Sequence, residues 1–356
     1  MAFNVFWFIL IALLWTGFFV LEGFDFGVGM LHGVIGRDDA GRRMAVNTIG
    51  PLWDGNEVWL IVAGASMFAA FPGWYATMFS GFYLAFVALL VALIMRGVSF
   101  EFRGKSDDAR WRGTWDVVMT VGSVLAPLLI GVALGNLLHG VPIASNQEYT
   151  GDLLDLLNPY SLYTGITLVL VCVLHGSTFL ALKTTGEVRE RSDRLARRAA
   201  PVTALAVLAF AVWTQVTISQ GVLPGVMPVA TVLAILGVVW LIRDGREGWA
   251  FAMTTFAMAG TILTIFIDLY PRVMVSSTNA AYSLTVQNAS SSPYTLKVMT
   301  VVAILFFPLV LVYQGWTYYV FRRRISPSDL EEQGSARDPA AATAPDSGAA
   351  GSPARD

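Results

Sequence analysis

The chain has 356 residues, of which 55% are hydrophobic and 13% are charged, and its formal net charge at pH 7 is −2. Soluble globular domains carry about 25% charged residues, so this composition excludes a soluble protein with a single core. The mean hydropathy of +0.61 indicates a protein that crosses a membrane several times. The single cysteine, Cys172, excludes a disulfide bond within the chain.

Nine apolar segments are long enough to cross about 30 Å of hydrocarbon as helices. In chain order they lie near residues 3–31, 51–71, 75–95, 115–138, 160–182, 200–220, 224–242, 248–270 and 297–321. They predict an all-α integral membrane protein with nine transmembrane helices in one domain, residues 1–325. The second to fifth and the sixth to ninth spans could form two four-helix bundles, with one peripheral helix left over.

The positions of lysine and arginine predict the orientation of the chain. These residues cluster in alternate connections, in the segments 37–43, 96–112, 183–198, 243–246 and 322–324, whereas the opposite connections contain only Arg272 and Lys297. Cytoplasmic loops of membrane proteins are enriched in lysine and arginine. We therefore predict that the N-terminus lies outside and that the C-terminus lies in the cytoplasm.

Two polar segments lie outside the predicted spans. Residues 271–297, the longest predicted outer connection, are rich in Ser, Thr and Asn, which favours a solvated loop over a lid or a partner contact. Residues 326–356 are rich in Pro, Ala, Gly, Ser and Asp. Such a segment has too little apolar surface to fold, so we predict a disordered cytoplasmic tail.

Two pairs of carboxylates interrupt the first two spans. Glu22 and Asp25 form the first pair, and Asp54 and Glu57 form the second. The members of each pair are three residues apart, so a helix places them on one face. In the predicted orientation both pairs lie toward the cytoplasmic leaflet. Ionisable groups at this depth are costly and mark ion and proton pathways, which favours a proton relay.

A structural role for the same acids stays open. Asp54 and Glu57 follow the start of a predicted helix, where negative charge complements the helix dipole. Glu22 and Asp25 could form ion pairs with the arginines of the turn 37–43. Neither role would involve proton transfer.

The histidines argue against a metal or cofactor site in this chain. His32, His139 and His175 are the only three, and none lies at ligand spacing from a second histidine or a carboxylate. We therefore expect no bound metal and no cofactor-binding residues here. Trp53 and Trp59 flank the second acidic pair, either as interfacial aromatic residues or as the border of a quinone or gas path.

Several segments resemble a known family. The sequence LEGFDFGVG at 21–29 and the sequence GPLWDGNEVWL at 50–60 are similar to signature segments of subunit II of the bacterial cytochrome bd quinol oxidases. The segments 96–103, 131–142 and 157–159 extend the resemblance in the same order and spacing. It covers residues 1–325, and only the tail lies outside it.

The resemblance implies a partner and cofactors in that partner. In this family subunit I carries haem b558, haem b595 and haem d together with the quinol site, and the two subunits form a heterodimer. The complex oxidises quinol and reduces dioxygen to water with protons taken from the cytoplasm. A small accessory subunit, membrane lipid and quinone are further candidate partners, and nucleic acid is not expected.

The resemblance also ranks the candidate residues. It implies that Asp54 belongs to the proton path toward haem d, with Asp25 second, and Glu57 and Glu22 after them. Glu57 stands where relatives have glutamine, which weakens its assignment. Trp59, with Trp53 nearby, would border a hydrophobic oxygen route.

Two other functions fit the bare sequence. Buried acids on nine spans are compatible with a proton-coupled secondary transporter, although such proteins tend to have matching interrupted helices in two halves. The chain could also be a purely structural scaffold subunit whose acids do no chemistry.

Overall fold

The computed structural model describes residues 2–218 and 223–329. Most of this part of the chain is α-helical. The helices are α1 (Ala2–Ile35), α2 (Asp39–Asn47), α3 (Trp53–Ala70), α4 (Pro72–Gly81), α5 (Tyr83–Phe102), α6 (Ala109–His139), α7 (Pro159–Lys183), α8 (Gly186–Thr217), α9 (Leu223–Arg243), α10 (Glu247–Leu269) and α11 (Pro293–Val320). Two short strands, β1 (Arg272–Met274) and β2 (Leu284–Thr285), pair antiparallel. Most of the predicted tail, from residue 330 onward, lies outside the described residues.

Eight helices in the described ranges are long and apolar enough to cross a membrane, namely α1 and α5 to α11. The all-α membrane class predicted from composition is therefore confirmed. Helix α3 does not belong to these eight, because its first turns carry the polar residues Asp54, Asn56 and Glu57. The predicted third span, 75–95, has the wrong boundaries: α4 ends at Gly81 and the long apolar helix α5 begins only at Tyr83.

Helix α1 lies at the centre of the helical assembly. It packs against α3, α6, α7 and α10. Its closest approach is to α7, where a Cβ atom at Gly27 would lie 2.1 Å from the carbonyl oxygen of Cys172 and 2.7 Å from Gly176 Cα. Small residues allow helices in membranes to approach this closely. The prediction of two bundles from the second to the ninth span leaves α1 as the peripheral helix. The position of α1 at the centre shows that this part of the prediction is wrong.

Helix α11 is instead the peripheral one, and hydrogen bonds hold both of its ends. Near its N-terminus, Trp7 Nε1 donates to Leu296 O at 3.2 Å and to Thr300 Oγ1 at 3.0 Å. Just beyond its C-terminus, Lys183 Nζ donates to Arg323 O at 2.8 Å. Most of its apolar side chains are exposed, including Val312 at 72%. This surface must face lipid or another subunit.

The segment 271–297 forms a packed cap, so the prediction of a solvated loop is wrong. Val273, Met274, Leu284 and Val286 are completely buried. The backbone of Val141, in the connection before α7, donates to the carbonyl oxygen of Val275 at 3.0 Å. These four apolar residues are spread among Ser, Thr and Asn, so a hydropathy average over the segment does not reveal them. All four are nevertheless buried in or beside the β1–β2 hairpin.

The contact between α1 and α7 predicts the effect of two matched substitutions. Gly27→Ala places a methyl group against the α7 backbone, and such overpacking costs about 1–3 kcal/mol. Gly33→Ala on the same helix meets nothing within 4 Å, and we expect it to be neutral or stabilising by about 0.5–1 kcal/mol. Thermal unfolding of the two purified variants measures the difference. Equal unfolding temperatures would contradict the close α1–α7 contact.

Candidate functional site

The buried acids of α1 form an ion pair with α5. Glu22 and Asp25 lie one turn apart on α1, and neither side chain is exposed. Arg96 of α5 is equally buried, and its Nη1 lies 2.6 Å from Glu22 Oε1. The turn 37–43 therefore does not supply the partner of Glu22, and that structural alternative is wrong.

Arg96 is enclosed by aromatic rings and by a second acid. Its guanidinium carbon lies 4.8 Å from the ring centroid of Phe26 and 5.2 Å from that of Phe100. Its Nη1 also lies 3.4 Å from Glu57 Oε2. Because α5 extends to Phe102, Arg96 is an intrahelical residue. Its assignment to a basic cytoplasmic loop is wrong, although the other basic segments lie at helix ends or in connections.

Charge balance requires a proton in this cluster. Glu22 and Asp25 are both completely buried and lie three residues apart on α1. Arg96 balances only one negative charge, and an uncompensated charge in a dry interior costs several kcal/mol. We therefore expect one of the two buried carboxyl groups to be protonated.

Asn56 of α3 connects Asp25 to α11. It is completely buried, and its Nδ2 donates to Asp25 Oδ2 at 2.7 Å and to Leu21 O at 3.2 Å. Its Oδ1 accepts hydrogen bonds from Gln314 Nε2 at 2.8 Å and from Tyr318 OH at 3.0 Å. One amide side chain thus joins three helices around the buried acids.

The second acidic pair leads from the exposed surface to this cluster. Asp54 lies at the exposed start of α3, and its charge interacts with that of Glu57 one turn further along. The Glu57 side chain is 23% exposed and touches Arg96, which also contacts Glu22. The structure therefore brings Glu57 and Glu22 into contact with Arg96. Asp25 contacts Asn56 instead, and Asp54 lies at the outer edge of the group.

The two predicted tryptophans contact different helices. Trp59 is buried between α1 and α11, where a Cβ atom at Gly17 would lie 2.7 Å from its ring and its ring centroid is 6.1 Å from that of Phe307. Trp53 is half-buried, and its ring centroid is 4.8 Å from that of Phe100. Trp53 therefore covers one side of the Arg96 environment, and Trp59 fills the gap between two spans.

A separate network surrounds Asp116 of α6. Its Oδ1 lies 3.0 Å from Nε2 of the buried His32, whose Nδ1 lies 2.8 Å from Gly29 O. Arg103 Nε donates to Asp116 Oδ1 at 2.5 Å, and Arg42 Nη1 donates to Oδ2 at 2.9 Å. The His32–Asp116 pair was not predicted, because 84 residues separate its members in sequence. Because two arginines contact the Asp116 carboxylate, we infer that Asp116 has a structural role and holds the ends of α1, α5 and α6 together.

The ring nitrogens of His175 and His32 already have hydrogen-bond partners within the chain. His175 Nδ1 lies 2.9 Å from Thr254 Oγ1, and its Nε2 lies 3.1 Å from Val20 O. Both ring nitrogens of His32 are hydrogen-bonded as well, and His139 lies exposed at the end of α6. In the described ranges no group of three or more His, Cys, Asp or Glu residues is arranged to hold a metal ion.

Four side chains of this cluster were missed by sequence reasoning. These are Asn56, Arg96, Gln314 and Tyr318. Arg96 offered a signal, since apolar residues flank it on both sides (Leu93–Met95 before it, Val98 and Phe100 after it). Gln314 and Tyr318 offered a weaker signal, because they lie four residues apart on one face of an otherwise apolar helix.

The comparisons with known proteins agree with the resemblance seen in the sequence. Residues 3–321 match the family model described as cytochrome bd terminal oxidase subunit II. The chain belongs to this family. It is 46% identical over 324 residues to cytochrome bd ubiquinol oxidase subunit 2 from Bacillus subtilis, covering 90% of this chain and 96% of that relative. It is 39% identical over 362 residues to cytochrome bd-I ubiquinol oxidase subunit 2 from Escherichia coli K12, covering 91% and 96%.

A solved structure has the same fold. The structure titled as the bd oxidase from Geobacillus thermodenitrificans matches with a TM-score of 0.76 at 19% identity, covering 90% of this chain and 99% of that chain. As a member of the cytochrome bd subunit II family, the chain is a subunit of an oxidoreductase complex, the cytochrome bd quinol oxidase. It is a multi-pass protein of the bacterial inner membrane.

The buried ion pair predicts non-additive effects on stability. Arg96→Gln leaves the Glu22 carboxylate without its partner, and breaking a buried pair costs about 3–5 kcal/mol. The double variant Glu22→Gln/Arg96→Gln has no lone charge, so we expect it to recover most of that loss. Arg110→Gln, at an exposed position, is the matched control. Unfolding temperatures of the purified complex measure all three, and a double variant no more stable than Arg96→Gln would contradict the ion pair.

Proposed function

We propose that this subunit binds the haem-bearing subunit I of the quinol oxidase and provides part of the path by which cytoplasmic protons reach the site of dioxygen reduction. The observation that carries this proposal is the graded row of acids on α1 and α3. The row begins at the exposed Asp54, passes the partly exposed Glu57 and ends at the buried Glu22 and Asp25. Such rows of carboxyl groups mark proton relays in membrane proteins.

The geometry supports proton transfer in the following order. Asp54 takes up a proton at the exposed start of α3 and passes it to Glu57 one turn away. Arg96 Nη1 contacts both Glu57 and Glu22, so these two carboxyl groups lie on either side of one guanidinium. The Glu22–Asp25 pair already carries one proton, and it releases that proton toward the partner when a new one arrives.

The proposal places the acids at the cytoplasmic end of nine crossings. Helix α3 would be the ninth crossing in addition to the eight apolar helices, with its polar first turns at the cytoplasmic side. The basic segments that follow α1, α5, α7, α9 and α11 support this orientation under the positive-inside rule. The grouping of the second to fifth and the sixth to ninth spans into two four-helix bundles stays a prediction.

The proposed surface for subunit I consists of α3 and α11. Val58, Ile61 and Phe68 of α3 are 51%, 68% and 60% exposed, and α11 exposes apolar residues along its length. Large contiguous apolar surfaces mark lipid or protein contacts. Asp54 lies at the edge of this surface, so docking of subunit I would bring the start of the relay close to the partner.

The location of the haems and the oxygen route are two further parts of the proposal, and each rests on its own observation. The engaged nitrogens of His32 and His175 support the assignment of haem b558, haem b595 and haem d to subunit I. Trp59, buried between α1 and α11, is a candidate for the border of an oxygen route, since α11 adjoins the surface proposed for the partner. The role of Trp53 would be limited to covering Arg96.

A purely structural scaffold is the second candidate, and the Glu22–Arg96 ion pair is the observation that favours it. Paired acids can fix helix positions without moving protons. A transporter is less favoured, because family membership supplies an oxidoreductase role for the chain. The two remaining functions differ in whether neutral amide variants of the acids lose activity.

Asp54→Asn, Glu57→Gln and Asp25→Asn in the assembled complex test the relay. Each amide keeps the shape of the acid but carries no exchangeable carboxyl proton. We expect quinol-driven oxygen uptake to fall at least about tenfold in Asp54→Asn and Asp25→Asn and less in Glu57→Gln. Haem content, measured from reduced-minus-oxidised absorption spectra, should stay the same.

Glu101→Gln is the matched control, since Glu101 is an exposed acid near the end of α5. It should retain full activity. Normal turnover in all three relay variants would contradict the relay and support the scaffold function instead. Loss of haem together with activity would indicate a role in assembly rather than in proton transfer.

A further inference from the structure

An arginine-rich cavity lies away from the acidic row. It has a volume of about 330 Å³ and opens beside the end of α1 and the first turns of α8. Four arginines and an apolar floor line it: Arg37, Arg191, Arg194, Arg198, Val34 and Leu195. None of these residues belongs to the relay proposed above.

Most of these arginines have no acidic partner. Arg191 pairs with Glu187 on its own helix and donates from Nη1 to Ile35 O at 3.0 Å, which fixes α8 against the end of α1. In the parts of the chain that the structure describes, Arg37, Arg194 and Arg198 form no ion pair. Three guanidinium groups therefore bring uncompensated positive charge to one concave surface.

The spacing of the arginines along α8 places them on one face of the helix. Residues 191, 194 and 198 are three and four positions apart, so a helix presents them on one face. Two arginines outside the cavity share one acidic partner, because Arg189 Nε donates to Glu247 Oε1 at 2.9 Å and Arg324 Nη2 lies 3.1 Å from Glu247 Oε2. The cavity instead brings together three arginines that have no ion pair among the described residues.

The cavity lies at the depth of lipid headgroups. Helix α8 has 32 residues, which at 1.5 Å per residue is about 48 Å and exceeds the hydrocarbon thickness of about 30 Å. Its basic first turns must project from the hydrocarbon. The apolar part follows Arg198 at once, with Val202 54% and Leu205 67% exposed toward the surroundings. The arginines thus stand where the hydrocarbon ends.

We propose that this cavity binds the phosphate group of an anionic phospholipid. Guanidinium groups bind phosphate oxygens through two parallel hydrogen bonds, which makes arginine well suited to this ligand. Val34 and Leu195 offer apolar surface to the glycerol and the first methylene groups of the acyl chains. A free phosphate ion would leave this floor uncovered, so the combination of charge, apolar floor and depth favours a lipid.

Native mass spectrometry of the purified complex in detergent tests the proposal. Phosphatidylglycerol and, separately, phosphatidylcholine are titrated onto the wild type, onto Arg194→Gln/Arg198→Gln, and onto the control Arg110→Gln/Arg243→Gln. The control removes the same charge from exposed positions outside the cavity. Each basic residue near an anionic lipid contributes a factor of about five. We expect the cavity variant to bind the first phosphatidylglycerol about 25-fold more weakly, with the control unchanged.

Two results would overturn the proposal. Equal phosphatidylglycerol binding by the wild type and the cavity variant would remove the cavity as the site. Displacement of the bound lipid by inorganic phosphate in the low millimolar range, at constant ionic strength, would identify a site for free phosphate instead. Retention of the lipid under that competition, together with weaker phosphatidylcholine binding, would support the lipid site.

Discussion

The ion pair between Glu22 and Arg96 determines how the centre of this subunit is built. Both side chains are completely buried, and their charged atoms lie 2.6 Å apart. A buried charge is tolerated only when a partner offsets its desolvation, so α1 and α5 must stay in register along this contact. Asn56 then joins α3 and α11 to the same point through Asp25, Gln314 and Tyr318. Even the peripheral helix α11 is therefore coupled to the central acids.

The same cluster explains how stability and proton transfer can coexist. With two buried carboxyl groups beside one arginine we expect one carboxyl group to be protonated, and the ion pair fixes the position of Glu22. The close α1–α7 contact at Gly27 fixes α1 from its other side. The proposed relay would lie on rigid helices and would therefore transfer protons over constant distances, which a loop could not provide. The structural and the chemical roles of Glu22 are thus compatible.

The sequence predicted the local features of this site better than the distant ones. The three-residue spacing of Glu22 and Asp25 is sufficient to place both acids on one helix face. Arg96 was missed because hydropathy placed the third span eight residues too early, and that shift turned an intrahelical residue into a loop residue. Asn56 contacts Gln314 across 258 residues, and no local pattern contains such a pair. Membrane class and family were predicted because they depend on composition and contiguous segments.

In the proposed function, protons reach the partner through the buried pair on α1. Time-resolved proton uptake tests it most directly: the fully reduced complex is mixed with dioxygen, and a pH-indicating dye records protons taken up on the cytoplasmic side. We expect Asp25→Asn to slow this uptake roughly tenfold or more, with normal haem content, while Glu101→Gln matches the wild type. Uptake at the wild-type rate in Asp25→Asn would contradict the account, because a buried amide has no carboxyl proton to pass on.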